Sequence, residues 1–311
     1  MADSASSKYL TDLSPKDKPW DKHRACADRV EDIYRGTIFD RYSIRMEDCS
    51  KILDFGLVNA ENDEQRFKLL AARFCRVRHC PTCQSRRSMK WAARLFNALP
   101  AIAEKYPTHR WMLLTLTVRN CPISELRSQV AELNKGFKRL TDLKIFPGVG
   151  CIKSLEVTRG KDGSAHPHFH VLILVPSVYF GGRNYIKQER WCELWQKSMR
   201  LSYLPVVDIQ AVKSKKAGED GLAKAVCETL KYSVKEEDLV ADADWLIELT
   251  KQLHKTRAVS VSGCLREFLR EEKEDDDWVN IDDNDDESKE LMSDIILRFG
   301  WQETKKKYKL I

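Results

Sequence analysis

No run of eighteen apolar residues occurs anywhere in the 311-residue chain, which excludes a membrane-spanning helix. The first residues, MADSASSKYLTDLSPKDKPW, have neither the apolar core nor the small-residue cleavage pattern of a secretory leader, so the expected location is the cytoplasm. That compartment makes the ten cysteines poor disulfide material and directs them to other chemistry. There is no internal repeat, which argues against a repeat architecture. Acid is also unevenly spread along the chain. Glu271–Glu287, EEKEDDDWVNIDDNDDE, holds eleven acids and one lysine, so a chain of net charge +6 consists of a body at +16 and one stretch at −10. A basic body of this kind points toward a polyanion, with nucleic acid first among them.

What is present is a globular composition, 42% hydrophobic, long enough for two modest cores. Residues 1–20 are polar and expected to be disordered. Residues 21–105 hold five of the ten cysteines and many arginines and read as a small, basic, cysteine-organised domain. Within it, RRSMKWAARLFNALPAIAEKY has helical spacing, with Pro100 a kink or break near its end. Over 106–270 the texture changes to strands alternating with helices. WMLLTLTV reads as a buried strand, and SELRSQVAELNKGFKRLTDL as a helix with Ser124 as N-cap. GCIKSLEVTR and HPHFHVLILV read as strands of a hairpin turned by Asp162-Gly163. QERWCELWQKSMRL, PVVDIQAVK and GLAKAVCETLKYSVK follow as helix, strand and helix. The expected class is α+β, a sheet with helices on one face. Residues 271–311 read as an acidic linker and tail, with ESKELMSDIILRFGWQ a short amphipathic helix.

Three constellations carry chemistry. CRVRHCPTC spaces Cys75, Cys80 and Cys83 as C-x4-C-x2-C, and thiolates flanking a tight turn suit a structural Zn2+. The fourth ligand is open among Cys49, Cys26 and His79, with Cys49 preferred because His79 adjoins Cys80. The arginines around the cluster, Arg76, Arg78, Arg86 and Arg87 among them, would stabilise thiolates and suit DNA phosphates.

In SAHPHFHVLILVP, His166, His168 and His170 alternate and share one face of a strand. Two imidazoles side by side grip a divalent metal, and Glu156, across the hairpin on the same face, can add a carboxylate, with His166 the alternative third ligand. Such an open site fits Mn2+ or Mg2+ acting on a phosphate. In CETLKYSVK, Glu228 and Tyr232 are four apart on an expected helix, with Lys231 and Lys235 close by. A tyrosine beside a metal-bound phosphate can attack phosphorus while lysines offset the developing charge.

LLTLTV, HPHFHVLIL and ETLKYSVK, preceded by CRVRHCPTC, resemble in order and spacing the rolling-circle replication initiators of small plasmids, within the HUH endonuclease superfamily. The resemblance runs from about Arg45 to about Asp238. It implies a central five-stranded antiparallel sheet with the histidines on a middle strand and the tyrosine on a helix over it. His168 and His170 match the histidine pair, and Tyr232 the nucleophile that joins the 5′-phosphate and leaves a 3′-hydroxyl primer. Glu228 matches a glutamate that activates water at termination, and the cysteine spacing favours Cys49 as fourth ligand. The implied partners are plasmid origin DNA, single-stranded or extruded at the nick, and a host helicase and DNA polymerase. The alternatives are a zinc-dependent DNA-binding repressor with an inert histidine site, and a single-tyrosine transposase or relaxase of the same superfamily.

Overall fold

The computed structural model describes residues 8–59, 65–212, 219–231, 233–269, 278–280 and 296–311. In chain order the helices are α1 (Leu10–Leu13), α2 (Lys18–Tyr34), α3 (Asp40–Glu47), α4 (Pro81–Lys105), α5 (Leu126–Thr141), α6 (Gln188–Met199), α7 (Glu219–Leu230), α8 (Glu236–Ala241) and α9 (Ala243–Gln252). The strands are β1 (Ile52–Asn59), β2 (Gln65–Arg73), β3 (His109–Thr117), β4 (Gly150–Arg159), β5 (Ala165–Pro176), β6 (Val207–Ala211), β7 (Val259–Gly263), β8 (Trp278–Asn280), β9 (Ile296–Gln302) and β10 (Lys307–Leu310). The class is α+β with two antiparallel sheets. Among the described residues, no helix is long and apolar enough to cross a membrane.

The chain divides into two compact units, Met1–Ser85 with Lys273–Ile311, and Arg86–Glu272. In the first, a sheet ordered β10-β9-β1-β2-β8 is built from strands far apart in the sequence. β9 pairs with β1 through Leu53↔Phe299, and both residues are buried with Phe55 in a cluster of edge-on rings. This differs from two expectations. Ile296–Gln302, read as part of an amphipathic helix, is a strand, because its apolar residues are claimed by a long-range sheet. The order begins well before residue 20, since Leu10 is fully buried and Tyr9 bridges Lys309. Most of the acidic segment lies outside the described residues, but Trp278–Asn280 pairs with Ala71–Arg73 of β2.

In the second unit the sheet is ordered β6-β3-β5-β4-β7. β4 and β5 form the expected hairpin, turning at Gly163, whose φ of 80° lies in the left-handed region that favours glycine. Helices pack on both faces rather than one. On one face Ile152, Leu172 and Leu174 meet Trp91, Leu95 and Ile102 of α4 and Ala225, Val226 and Leu230 of α7. On the other, Phe169 meets Phe137 of α5 edge-on at 6.0 Å, and α6 lies on α5. The physical reason is visible in VLILV, where both parities are apolar, so both faces must be covered. Two boundaries also differ. Ser124 falls in a 3-10 turn, and α5 starts after Glu125 with no side-chain cap. α7 ends at Leu230, short of Tyr232, which lies outside the described residues.

Candidate active site

β5 changes character along its length. Its C-terminal half puts Leu172 and Leu174 under α4 and α7, while its N-terminal half presents His166, His168 and His170 on the same face. The register pairs Glu156 with His168, Thr158 with His166, and Thr115 with His170. Because side chains alternate, this register alone brings one carboxylate between two imidazoles.

The convergence is close. His168 Nε2 lies 3.2 Å and His170 Nε2 2.8 Å from the same oxygen, Glu156 Oε2. Glu156, His168 and His170 are only 3%, 8% and 4% exposed, so solvent does little to stabilise charge there. His168 Nδ1 sits 3.2 Å from the His166 carbonyl oxygen. A carbonyl only accepts, so Nδ1 carries the proton, and in the neutral ring the Nε2 lone pair faces a carboxylate oxygen. Two acceptors at that distance need a cation between them, either an added proton or a metal ion held by both. The donor set therefore fits a divalent ion bound by two Nε2 atoms and one carboxylate oxygen, with the His166 carbonyl fixing the ring from behind.

Lys231 completes the electrostatics. Its Nζ is 3.0 Å from Glu156 Oε2 and 2.7 Å from Glu228 Oε1, and Glu228 Oε1 is 3.8 Å from His170 Nδ1. Burial by itself would raise the Glu156 carboxyl, but when the added proton makes His168 an imidazolium, hydrogen bonds from His168 and His170, the His168 charge and Lys231 outweigh it and hold the group well below the usual carboxylate range. Burial would likewise lower Lys231, yet Glu228 and Glu156 together raise it. For His166, burial and then the His168 charge lower the ring pKa, only partly offset by Glu156. His166 instead engages Asn120 Oδ1 through Nδ1 at 2.9 Å and stands outside the metal-capable group.

β4 also anchors the chain on either side of position 232. Ser154 Oγ donates to the Thr229 carbonyl, and the Val157 N–H donates to the Ser233 carbonyl at 2.8 Å. These two bonds flank Glu156 on β4 and position 232 on the other segment. Lys235, the second lysine expected near the site, is exposed at the N-cap of α8.

In the first unit the sulfurs of Cys49, Cys75, Cys80 and Cys83 gather within 4.8 Å of one another, all buried. Cys49 joins Cys80 at 3.7 Å and Cys83 at 3.6 Å, and Cys75 joins Cys83 at 3.5 Å. Four sulfurs each about 2.3 Å from one ion are roughly 3.8 Å apart, so the spacing fits tetrahedral Zn2+. Burial raises the Cys75 and Cys80 thiols, whereas hydrogen bonds from the other three sulfurs lower Cys83. Buried thiols in this split state gain from a cation that stabilises all four as thiolates. Cys49, not Cys26 or His79, completes the set. It comes from the turn after α3, whose Cys49 carbonyl accepts from buried Arg24. Arg76 and Arg78 are half-buried on the loop between Cys75 and Cys80, and Arg86 and Arg87 are half-buried on α4.

Sequence reasoning missed Thr115, Asn120 and the contact of Lys231 with Glu156. Thr115 Oγ1 lies 3.3 Å from His170 Nδ1. A signal for it existed, since Thr115 and Thr117 are the polar residues of WMLLTLTV, two apart, and so mark a polar face inside an apolar strand.

The sequence profile of the Replication protein family matches residues 66–309. A protein named Protein rep from Lentilactobacillus hilgardii is 31% identical, covering 97% of this chain and 99% of that protein. Protein rep from Streptococcus pneumoniae serotype 2 is 31% identical over 94% of this chain and 92% of that protein. Protein rep from Bacillus amyloliquefaciens is 35% identical over 78% of each. No solved structure matches the chain.

Proposed function

The chain belongs to the Replication protein family of plasmid replication initiators, and from that premise we propose that it nicks one strand of its origin DNA with Tyr232 as nucleophile. The observation that carries this reading is the convergence of His168 Nε2 and His170 Nε2 on Glu156 Oε2. His168, His170 and Glu156 would hold Mn2+ or Mg2+, which when bound supplies Lewis-acid polarisation of the scissile phosphate. The antiparallel sheet that carries His168 and His170 on its central strand, β5, supports this reading.

Tyr232 would attack phosphorus, forming a tyrosyl–phosphate bond as the P–O3′ bond breaks and the 3′-oxygen leaves as a primer for a host polymerase. One phosphodiester replaces another, so no nucleotide hydrolysis is needed and the transfer is reversible. A phenol of intrinsic pKa about 10 needs an electropositive setting, which Lys231 and Lys235 would supply beside it. The bonds from Ser154 to Thr229 and from Val157 to Ser233 support placing the intervening tyrosine against Glu156. Glu228 would activate water to release the protein at termination. The Cys49, Cys75, Cys80 and Cys83 cluster would hold a structural Zn2+, and the basic residues Arg76, Arg78, Arg86 and Arg87 would grip the DNA backbone before a host helicase opens the duplex.

The test is incubation with single-stranded origin oligonucleotide and Mn2+. Wild-type protein is expected to become attached to the 5′-phosphate side of the nick, and Tyr232→Phe to abolish the adduct. An adduct that survives Tyr232→Phe moves the nucleophile elsewhere. Absence of cleavage by wild type under varied divalent metals overturns the reading in favour of a DNA-binding repressor.

A further inference from the structure

We propose that the other end of the same sheet carries a second nucleic-acid site, a pocket that takes an unstacked nucleotide of the DNA strand. The proposal rests on the preceding reading only in taking the polymer to be DNA. A cavity of about 660 Å³ lies beside Pro176, where β5 ends, between the turn that precedes β4 and the start of α6. That volume is within the range of roughly 300–1,000 Å³ that small-ligand sites occupy.

The lining holds four cations, Lys144, Arg183, Lys187 and Arg190, and no carboxylate. Arg190 pairs with Glu193 at 2.5 Å, but among the described residues the other three form no ion pair. Unpaired cations around a concavity without acid select an anion. The first turn of α6 begins there without a side-chain cap, so its backbone N–H groups add to the same preference.

The aromatic lining narrows the anion further. Tyr185 is 49% exposed, and its ring is braced at 5.7 Å by Tyr179, which is buried and accepts from Trp191 Nε1 at 3.3 Å. Phe146 is held edge-on to Trp191 at 6.1 Å. A braced, half-exposed ring beside phosphate-binding cations is the arrangement on which a base stacks while its backbone is gripped. Inorganic phosphate alone would leave these apolar faces unused.

The pocket is distinct from the histidine site. Six residue steps along β5 separate His170 from Pro176, about 20 Å at a strand rise of roughly 3.3 Å. The pocket also lies with α6 and Phe146 on the Phe169 face, opposite the histidines, so a strand reaching both must pass round the sheet edge and span more than the roughly six nucleotides that this rise alone would need. A strand engaged at both places would be held well away from the nick.

The experiment uses full-length protein carrying Tyr232→Phe, so that binding is read without cleavage. Oligonucleotides with bromodeoxyuridine placed at successive positions around the nick are crosslinked by ultraviolet light and bound peptides identified, and affinity is followed by fluorescence anisotropy across a salt series. Crosslinks should fall on the peptide containing Tyr185. Arg183→Glu with Lys187→Glu should weaken binding at least tenfold and reduce the salt slope by about 1.4, two contacts at roughly 0.7 each for a single strand. Tyr185→Ala should weaken binding roughly five- to a hundredfold through lost stacking. All three side chains are exposed, so these variants leave the buried core untouched. Thymidine monophosphate should not displace the strand. Unchanged affinity and salt slope in both variants overturn the proposal, as does saturation by thymidine monophosphate with strand binding intact in the variants. Wild-type nicking is scored separately. Nicking with an inert pocket overturns this proposal alone, and crosslinking at Tyr185 without nicking overturns the tyrosine reading alone.

Discussion

Glu156 and His168 are direct register partners across the β4–β5 hairpin, and their side chains meet at 3.2 Å on a face that His170 shares. A one-residue slip in that register would turn Glu156 to the opposite face and dismantle the site. The hairpin turn at Gly163 therefore bears directly on the chemistry, because it sets which residue of β4 faces the histidines.

Glu156→Gln keeps the shape of the side chain but removes the charge that holds two Nε2 atoms together. Mn2+ affinity, followed by electron paramagnetic resonance, is expected to fall at least tenfold with little change in secondary structure. Retained affinity would mean that the ion, if bound, uses His168 and His170 without this carboxylate.

Glu228→Ala should leave initial nicking intact and impair termination, seen as accumulated covalent or multimeric product. Glu228 pairs with Lys231 at 2.7 Å and stands only 3.8 Å from His170 Nδ1, so a structural role is the competing explanation. Equal loss of both steps would favour that competitor.

Elemental analysis of the isolated protein should find about one tightly held zinc per chain, lost in Cys83→Ser with a lower thermal unfolding temperature. Cys83 is a direct test position, since Cys49 and Cys75 both lie within 3.6 Å of its sulfur. A zinc-free wild type of unchanged stability would refute the cluster as a metal site.

Lys153 gives a pH signature away from the histidine face. It lies 4.1 Å from the Phe169 ring centroid and 4.7 Å from that of Phe137, and donates to Asn134 at 2.6 Å. Burial, opposed only weakly by Cys151, lowers its pKa to about 8. Between that value and the ordinary 10.5, the unfolded chain binds more protons than the folded one, so stability rises with pH across this window. The full rise is on the order of 3 kcal/mol for this one group. Buried thiols raised by burial act in the opposite sense over this window, so the readout is the difference: in urea unfolding from pH 7 to 10 the stability of wild type relative to Lys153→Met should rise with pH, and parallel profiles would contradict it.

Much of the site was legible in the sequence because its links are short. Alternation along HPHFHVLILV, a tight Asp162-Gly163 turn and the strand parity of SLEVT suffice to bring Glu156 to His168 and His170, since a hairpin closes over twelve residues with little freedom of register. The cysteine spacing likewise defined three sulfurs of the cluster.

The rest depended on partners distant in the chain. Ile296–Gln302 has apolar spacing that a helix could use, and it became a strand because β1, more than two hundred residues earlier, offered an edge. α7 was expected to run through Tyr232 but ends at Leu230, where hydrogen bonds to Ser154 and Val157 of β4 take hold of the chain on either side. The sequence by itself determined which side chains share a face, because strand and helix periodicity are local. Only the tertiary structure decided that Cys49 closes the sulfur cluster and that Lys231 reaches Glu156, because each depends on long-range packing that no local period encodes.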